Sequence, residues 1–282
     1  MQIGSGYLLP PTATPYVTYE DMTLPQAVRA GYPISSTLPA ALVRRRIEMS
    51  RRMYVRARGC CFESHLAAAS AIEDYGVEDG KVHVLGVGPN HIVGATDREL
   101  YPPRFLFVGE DWQRKNGDAV VRAFSQVRKE HPDARLDLVG GVPQVGADGV
   151  TVHGMLPLGD AAGRQRVERL LREATCFALP SRHEPSALAY VDAAHAGLPS
   201  IVSTAGGSEE LVRPGGIGVE PNDDRALLEA MMALSEPTLA HATGARAHMH
   251  ARLYTWDAVA GRLLRALRRT KPRSATWQGS YE

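Results

Sequence analysis

From residue 104 onward the chain repeats one pattern: a short apolar run, a turn bearing glycine or proline, then a segment with helical spacing. RFLFVG (104–109) is such a run. In the following stretch, 117–131, Val120, Val121, Phe124 and Val127 fall on one helix face, and Pro132 stops it. ARLDLVG (134–140), 150–153, CFAL (176–179) and 200–203 read as further strands. Helices are expected at 164–173, 185–196, 208–212 and 225–234. Alternating strands and helices build βαβ units, so the pattern predicts an α/β fold with a parallel sheet covered on both faces. Ligands on such sheets bind at the carboxyl ends of the strands.

The first hundred residues carry a shorter version of the pattern. Strands are expected at 16–19, 60–62 and 82–85, with helices at 38–58 and 66–75. GVGPN (86–90) and the polar residues after it mark a boundary. The expected division is a first lobe over 1–95, a second over 96–253, a terminal helix over 254–269 and a disordered tail over 270–282.

Three segments carry chemistry. In SRHEPSALAYVD (181–192) a strand ends, Glu184 sits in the turn, and Pro185 suits the first helical position. The free backbone N–H groups of Ser186, Ala187 and Leu188 then suit a phosphate. Glu184 can accept hydrogen bonds from sugar hydroxyls, and Asp192, two turns on, suits the hydroxyls of a ribose. A capping glutamate and a surface aspartate are the plain alternative. In GEDWQRKNG (109–117) a loop after a strand brings Arg114 and Lys115 to the start of a helix, where cations oppose the dipole. That placement favours an anionic ligand over a solvated pair. In TAGGSEEL (204–211) the paired Gly206 and Gly207 permit close backbone approach.

Taken in order from about 104 to 267, these segments resemble family 4 of the retaining GT-B glycosyltransferases (glycosyl transferases group 1). The family pairs two glutamates eight positions apart; here the second acid is Asp192. The resemblance implies two Rossmann-like lobes with parallel sheets and a crevice between them. It implies that Lys115, six residues after Gly109, holds the donor diphosphate. Glu110 stands where many members carry arginine, and Arg114 can replace that cation. It further implies that Gly206, Gly207 and Glu210 wall the donor, and that Val152, His153 and Gly154 lie by the nucleobase. A satisfied loop histidine is the plainer reading of His153. Trp256, in a segment resembling the family's terminal helix, is expected in a core or at the lobe junction.

The implied reaction is transfer of a sugar from a nucleoside diphosphate sugar to an acceptor hydroxyl, with retention. Glu184, Lys115 and Arg114 are the catalytic candidates. No Asp-x-Asp pair occurs, so no metal is expected, and the nucleotide sugar is a substrate, so no cofactor is expected. The front resembles only the later part of the family's first domain, which ordinarily needs about 100 or more residues. Roughly half of that domain is therefore expected to be missing. The histidine that often ends the strand at 15–19 is replaced by Glu20 and Asp21, which are assigned to the acceptor. A nucleotide-sugar-binding remnant without turnover, or a GT-B sugar-nucleotide 2-epimerase, are the rival readings.

Composition narrows the partners. The formal net charge is +1, which gives no general attraction to nucleic acid. No G-x-G-x-x-G follows any strand, which argues against a dinucleotide-dependent oxidoreductase. The three cysteines, Cys60, Cys61 and Cys176, are expected as buried thiols. No apolar run approaches a membrane span and the first residues lack a signal-peptide pattern, so the cytoplasm is expected. Positive charge is concentrated in the helix at 38–58, with Arg44, Arg45, Arg46, Arg51, Arg52, Arg56 and Arg58. A basic amphipathic helix can rest on an anionic membrane, while a solvated face on a core helix is the alternative.

Overall fold

The computed structural model describes residues 1–4, 15–32, 37–95, 97–157, 159–186 and 188–269. The expected disordered tail at 270–282 lies outside them.

The first lobe is a four-stranded parallel sheet, ordered β1-β2-β3-β4. Its strands are β1 (Gln2–Ile3), β2 (Val17–Glu20), β3 (Gly59–Phe62) and β4 (Val82–Val84). Its helices are α1 (Leu24–Arg29), α2 (Ala40–Arg56) and α3 (His65–Tyr75). β2 and β3 are buried along their whole length; β3, GCCF, is continuously apolar, while β2, VTYE, buries Thr18 and Glu20 as well. Thr23 and Gln26 form a reciprocal capping box at the start of α1. α2 buries Ser50, Met53 and Tyr54 and turns Arg44, Arg45, Arg52 and Arg56 to solvent. Arg51 leaves the solvated set, donating to the carbonyls of Asp74 and Tyr75.

The second lobe is a six-stranded parallel sheet, ordered β10-β9-β8-β5-β6-β7. Its strands are β5 (Arg104–Gly109), β6 (Arg135–Gly140), β7 (Val150–Gly154), β8 (Cys176–Leu179), β9 (Ser200–Ser203) and β10 (Gly216–Val219). Its helices are α4 (Gly117–Glu130), α5 (Ala161–Glu173), α6 (Leu188–His195), α7 (Ser208–Val212), α8 (Asp224–Ala233) and α9 (Pro237–Ala251). Phe105, Phe107, Phe124, Leu136, Leu138 and Phe177 fill a core between sheet and helices. Two parallel sheets flanked by helices are the expected α/β architecture of Rossmann-like lobes.

The chain order through the second sheet locates the site. From β5 the chain moves outward through β6 and β7, then returns to the other side of β5 as β8. The order reverses between β5 and β8, and the crevice opens where their carboxyl ends diverge. β4 ends at Val84 and β5 begins at Arg104, so the expected boundary at 95 falls within the connection.

The terminal helix, α10 (Trp256–Arg269), returns to the first lobe. Its Val259 and Ala266 are buried with Val17, Tyr19, Cys61 and Leu85. Trp256 is half exposed and not a core residue. It lies at the junction, where its Nε1 donates to the Pro89 carbonyl at 2.9 Å. A side chain at Gly88 would meet its ring at 2.6 Å. All three cysteines are buried and unpaired.

Candidate functional site

The loops after β5 and β8 meet at the reversal point. The turn 110–116 is wound by a bond from Lys115 N to Asp111 O at 2.9 Å, and Asn116 adopts φ 60°. Trp112 is buried against Gly117 and Phe107, which fixes this turn on the sheet. Gly109 leaves room for the lysine: a Cβ there would lie 2.8 Å from Lys115 Cγ. Arg182 N donates to Arg114 O at 2.7 Å, so the two loops are joined directly.

Glu184 is held by an extension of strand pairing beyond β8 and β9. It bridges to Gly206, its N–H reaches Ala205 O at 2.9 Å, and its carbonyl accepts from Gly207 N at 3.0 Å. Gly206 has φ 129°, and a Cβ on it would stand 2.0 Å from Glu184 O. The glycines thus let the backbone of the acid approach. Gly206, Gly207 and Glu210 do not line the cleft, contrary to their expected place in the donor wall. Glu210 instead reaches the first lobe, accepting from His65 N at 2.6 Å and meeting His65 Nδ1 at 2.9 Å.

The Glu184 carboxylate is buried. Oε2 is bonded by Lys115 Nζ, accepts from Ser181 Oγ at 2.9 Å and lies 3.5 Å from Arg114 Nη1. Burial lowers the pKa of Lys115, and Glu184 acts against that effect. Arg114 is oriented by Tyr32 of the first lobe. Its guanidinium lies 5.4 Å from the Tyr32 ring centroid, and Nη1 donates to Tyr32 Oη at 3.3 Å. The Tyr32 ring meets His183 edge-on at 5.7 Å. Burial raises the Tyr32 pKa to about 12.

These groups face a cleft of about 490 Å³ walled by both lobes. That is a volume suited to a small ligand, within the roughly 300–1,000 Å³ typical of such sites. Asp21, Gly109, Arg114, Lys115, Glu184, Ser186, Leu188 and Asp192 all line it. Glu20 does not; it is buried and accepts from Tyr54 Oη at 3.0 Å.

Two expected features differ. α6 begins at Leu188, so Pro185 and Ser186 precede the helix instead of opening it, and Ala187 lies outside the described residues. The pairing of Glu184 with Gly206 keeps this stretch extended past the strand and delays the helix. His153 is withdrawn from the cleft, with Nε2 2.6 Å from Asp137 Oδ1 and Nδ1 3.0 Å from Arg166. Its neighbours Met155 and Leu156 supply the apolar wall.

The sequence reading missed Tyr32, His91 and Glu63. Tyr32 and His91 line the cleft from segments with no periodic signal. Glu63 directly follows β3 and is bonded by the Ser186 hydroxyl across the lobes. Burial raises its pKa to about 7. A carboxylate placed just after an apolar strand, FES, was the signal available.

Residues 102–236 match the family model described as Glycosyl transferases group 1. The chain is 25% identical over 221 residues to mannosylfructose-phosphate synthase from Agrobacterium fabrum, covering 68% of this chain and 49% of the relative. It is 31% identical over 180 residues to a GDP-mannose-dependent monoacylated alpha-(1-6)-phosphatidylinositol monomannoside mannosyltransferase from Corynebacterium glutamicum, covering 57% and 45%. The chain spans about half the length of the curated relatives it matches. Among solved structures, sucrose-phosphate synthase from Thermosynechococcus elongatus superposes with a TM-score of 0.69 at 21% identity, over 90% of this chain and 68% of that one. WaaG, a glycosyltransferase involved in lipopolysaccharide biosynthesis, superposes with a TM-score of 0.67 at 17% identity, over 89% and 73%. Residues 102–236 are thus similar to a glycosyl transferases group 1 domain, within a chain that has the GT-B fold.

Proposed function

We propose that this chain is a glycosyltransferase that moves a sugar from a nucleoside diphosphate sugar to an acceptor hydroxyl, with retention. The observation that carries the reading is the meeting of Lys115, Arg114 and Glu184 at the sheet's reversal point, in a cleft that both lobes wall. Two cations on one buried carboxylate suit an exchange. The diphosphate takes the cations as it binds, and Glu184 turns to the sugar hydroxyls. As the leaving group departs, Lys115 and Arg114 meet the charge it develops, in a site low in water. The N–H groups of Ser186, ahead of α6, and of Leu188, its first residue, add to that field. Asp192 is placed for the ribose through Oδ2, since Oδ1 is engaged elsewhere. Asp21, at the first-lobe side of the cleft, is placed for the acceptor.

The names of the relatives favour this reading, one of them being GDP-mannose-dependent. The reading requires neither metal nor cofactor. It places the chain in the cytoplasm, with the arginine face of α2 available to an anionic membrane. Among the described residues no helix is long and apolar enough to cross a membrane.

Calorimetric titration of UDP, GDP, ADP and TDP into the purified chain tests it, with Lys115→Ala as control. Saturable binding of one nucleotide, weakened in the variant, supports the donor site and names the base. Incubation with the matching labelled sugar nucleotide then separates transfer from epimerisation and from binding alone. A folded chain that binds none of the four sinks the assignment.

A further inference from the structure

A second cavity, about 660 Å³, shares no lining residue with the cleft. It runs along β4, the end strand of the first sheet, between α3 and α10. Its floor is apolar, made by Ile72, Val84, Leu85 and Ala266. Its polar groups are mostly basic. Arg262 and Arg265 enter from α10, His83 from β4 and His65 from the start of α3, against the one acid Asp79 among the described lining residues.

The two arginines lie three residues apart on one helix, where like charges repel. Among the described residues no carboxylate stands within 4.0 Å of either guanidinium. Arg262 is already oriented. Its Nε donates to Leu85 O at 2.5 Å and its Nη2 to Leu253 O at 2.8 Å. Its charge is therefore held at the cavity by backbone carbonyls that do not neutralise it. Guanidinium groups match phosphate oxygens in geometry and in charge, and an anion between them removes their repulsion.

We propose that this cavity binds a small phosphate-bearing molecule with an apolar body, the phosphate at Arg262 and Arg265 and the body on the floor beneath β4. Such a ligand joins α10, which follows the second lobe in the chain, to α3 and β4 of the first. It acts apart from the donor cleft.

The probe is phenyl phosphate, compared with inorganic phosphate, on the full chain. Calorimetry is expected to show saturable binding of phenyl phosphate, tighter than that of inorganic phosphate. Arg265→Ala is expected to weaken it by about tenfold or more, the loss of a charge-assisted contact. Lys115→Ala is expected to leave it unchanged. Arg265 is exposed, so its replacement leaves the core intact, and circular dichroism checks the fold. Retention in Arg265→Ala with loss in Lys115→Ala places the phosphate in the donor cleft and overturns the proposal. So does an absence of saturable binding by the folded wild type. Equal affinity for the two probes overturns the apolar seat. Nucleotide titration of Arg265→Ala runs in parallel and is expected to match wild type, so failure here is distinguishable from failure of the donor site.

Discussion

Asp192 Oδ1 accepts the backbone N–H of Asn90 at 2.7 Å and that of His91 at 3.0 Å. The second acid of the pair is thereby fastened to the segment between the lobes while still lining the cleft. Burial raises its pKa from 3.8 to about 7, and the two N–H bonds oppose that rise. The native state then holds a proton that the unfolded chain sheds. The stability this contributes is complete below pH 3.8 and is lost as pH rises toward about 7. Asp192→Asn keeps an acceptor and removes the titration. Its stability is expected to fall less steeply over that window, by up to about 1.4 kcal/mol per pH unit. Urea midpoints of both proteins across the window measure this. An unchanged slope moves the titration elsewhere, with Glu63 the next group to replace.

Lys115 is the closest cation to the buried Glu184. Removing one partner of a buried pair leaves the other charged and uncompensated, at a cost of about 3–5 kcal/mol. Lys115→Ala is expected to lose an amount near the lower end, because Arg114 and Ser181 remain. Adding Glu184→Gln is expected to restore most of it. Chemical denaturation of the single and double variants checks this, and full additivity of the two losses would count against the pair.

Gly206 carries φ 129° and presses on the Glu184 carbonyl. Gly206→Ala adds a Cβ at 2.0 Å from that oxygen, in a backbone region that L-residues rarely adopt. Strain of this kind costs roughly 1–3 kcal/mol before the contact is counted. The bridge is expected to open and Glu184 to leave its cations. A lowered melting temperature together with weaker nucleotide binding is the expected result. A variant with wild-type values on both would show that the bridge is dispensable.

Trp256 joins α10 to the lobe junction through Pro89 and Gly88. Trp256→Phe removes the hydrogen bond and keeps most of the ring, for a loss of about 1 kcal/mol. Amide exchange in residues 86–95 is expected to quicken while that of β5 and β8 stays slow. Equal quickening throughout would mean a global effect instead of a local one.

Much of the second lobe was legible because its elements carry clean patterns. α4 puts Ala119, Val120, Ala123, Phe124 and Val127 on a buried face, and β8 is buried at every position. α9 was not foreseen. Its fifteen residues hold alanines, histidines and Gly244, with no apolar stripe to read. It packs by closeness: a Cβ at Gly244 would lie 2.2 Å from Gly197 O, and one at Gly215 would lie 2.3 Å from Ala247 Cβ. β10, GIGV, has two glycines in four residues and gains its identity from pairing with β9.

The site divides in the same way. Lys115, Arg114, Glu184 and Asp192 were evident from strand-loop-helix spacing, because a parallel sheet delivers every such loop to one edge. Which loops meet was decided by the return of β8 to the far side of β5, a choice made between strands distant in sequence. The sequence by itself determined the α/β architecture and the set of polar groups near the strand ends, since both follow from local periodicity. Only the tertiary structure brought Tyr32 to Arg114, sent Glu210 to His65 and turned His153 toward Asp137. Those contacts depend on how two lobes and a returning helix pack, and no local pattern encodes the partner across the gap.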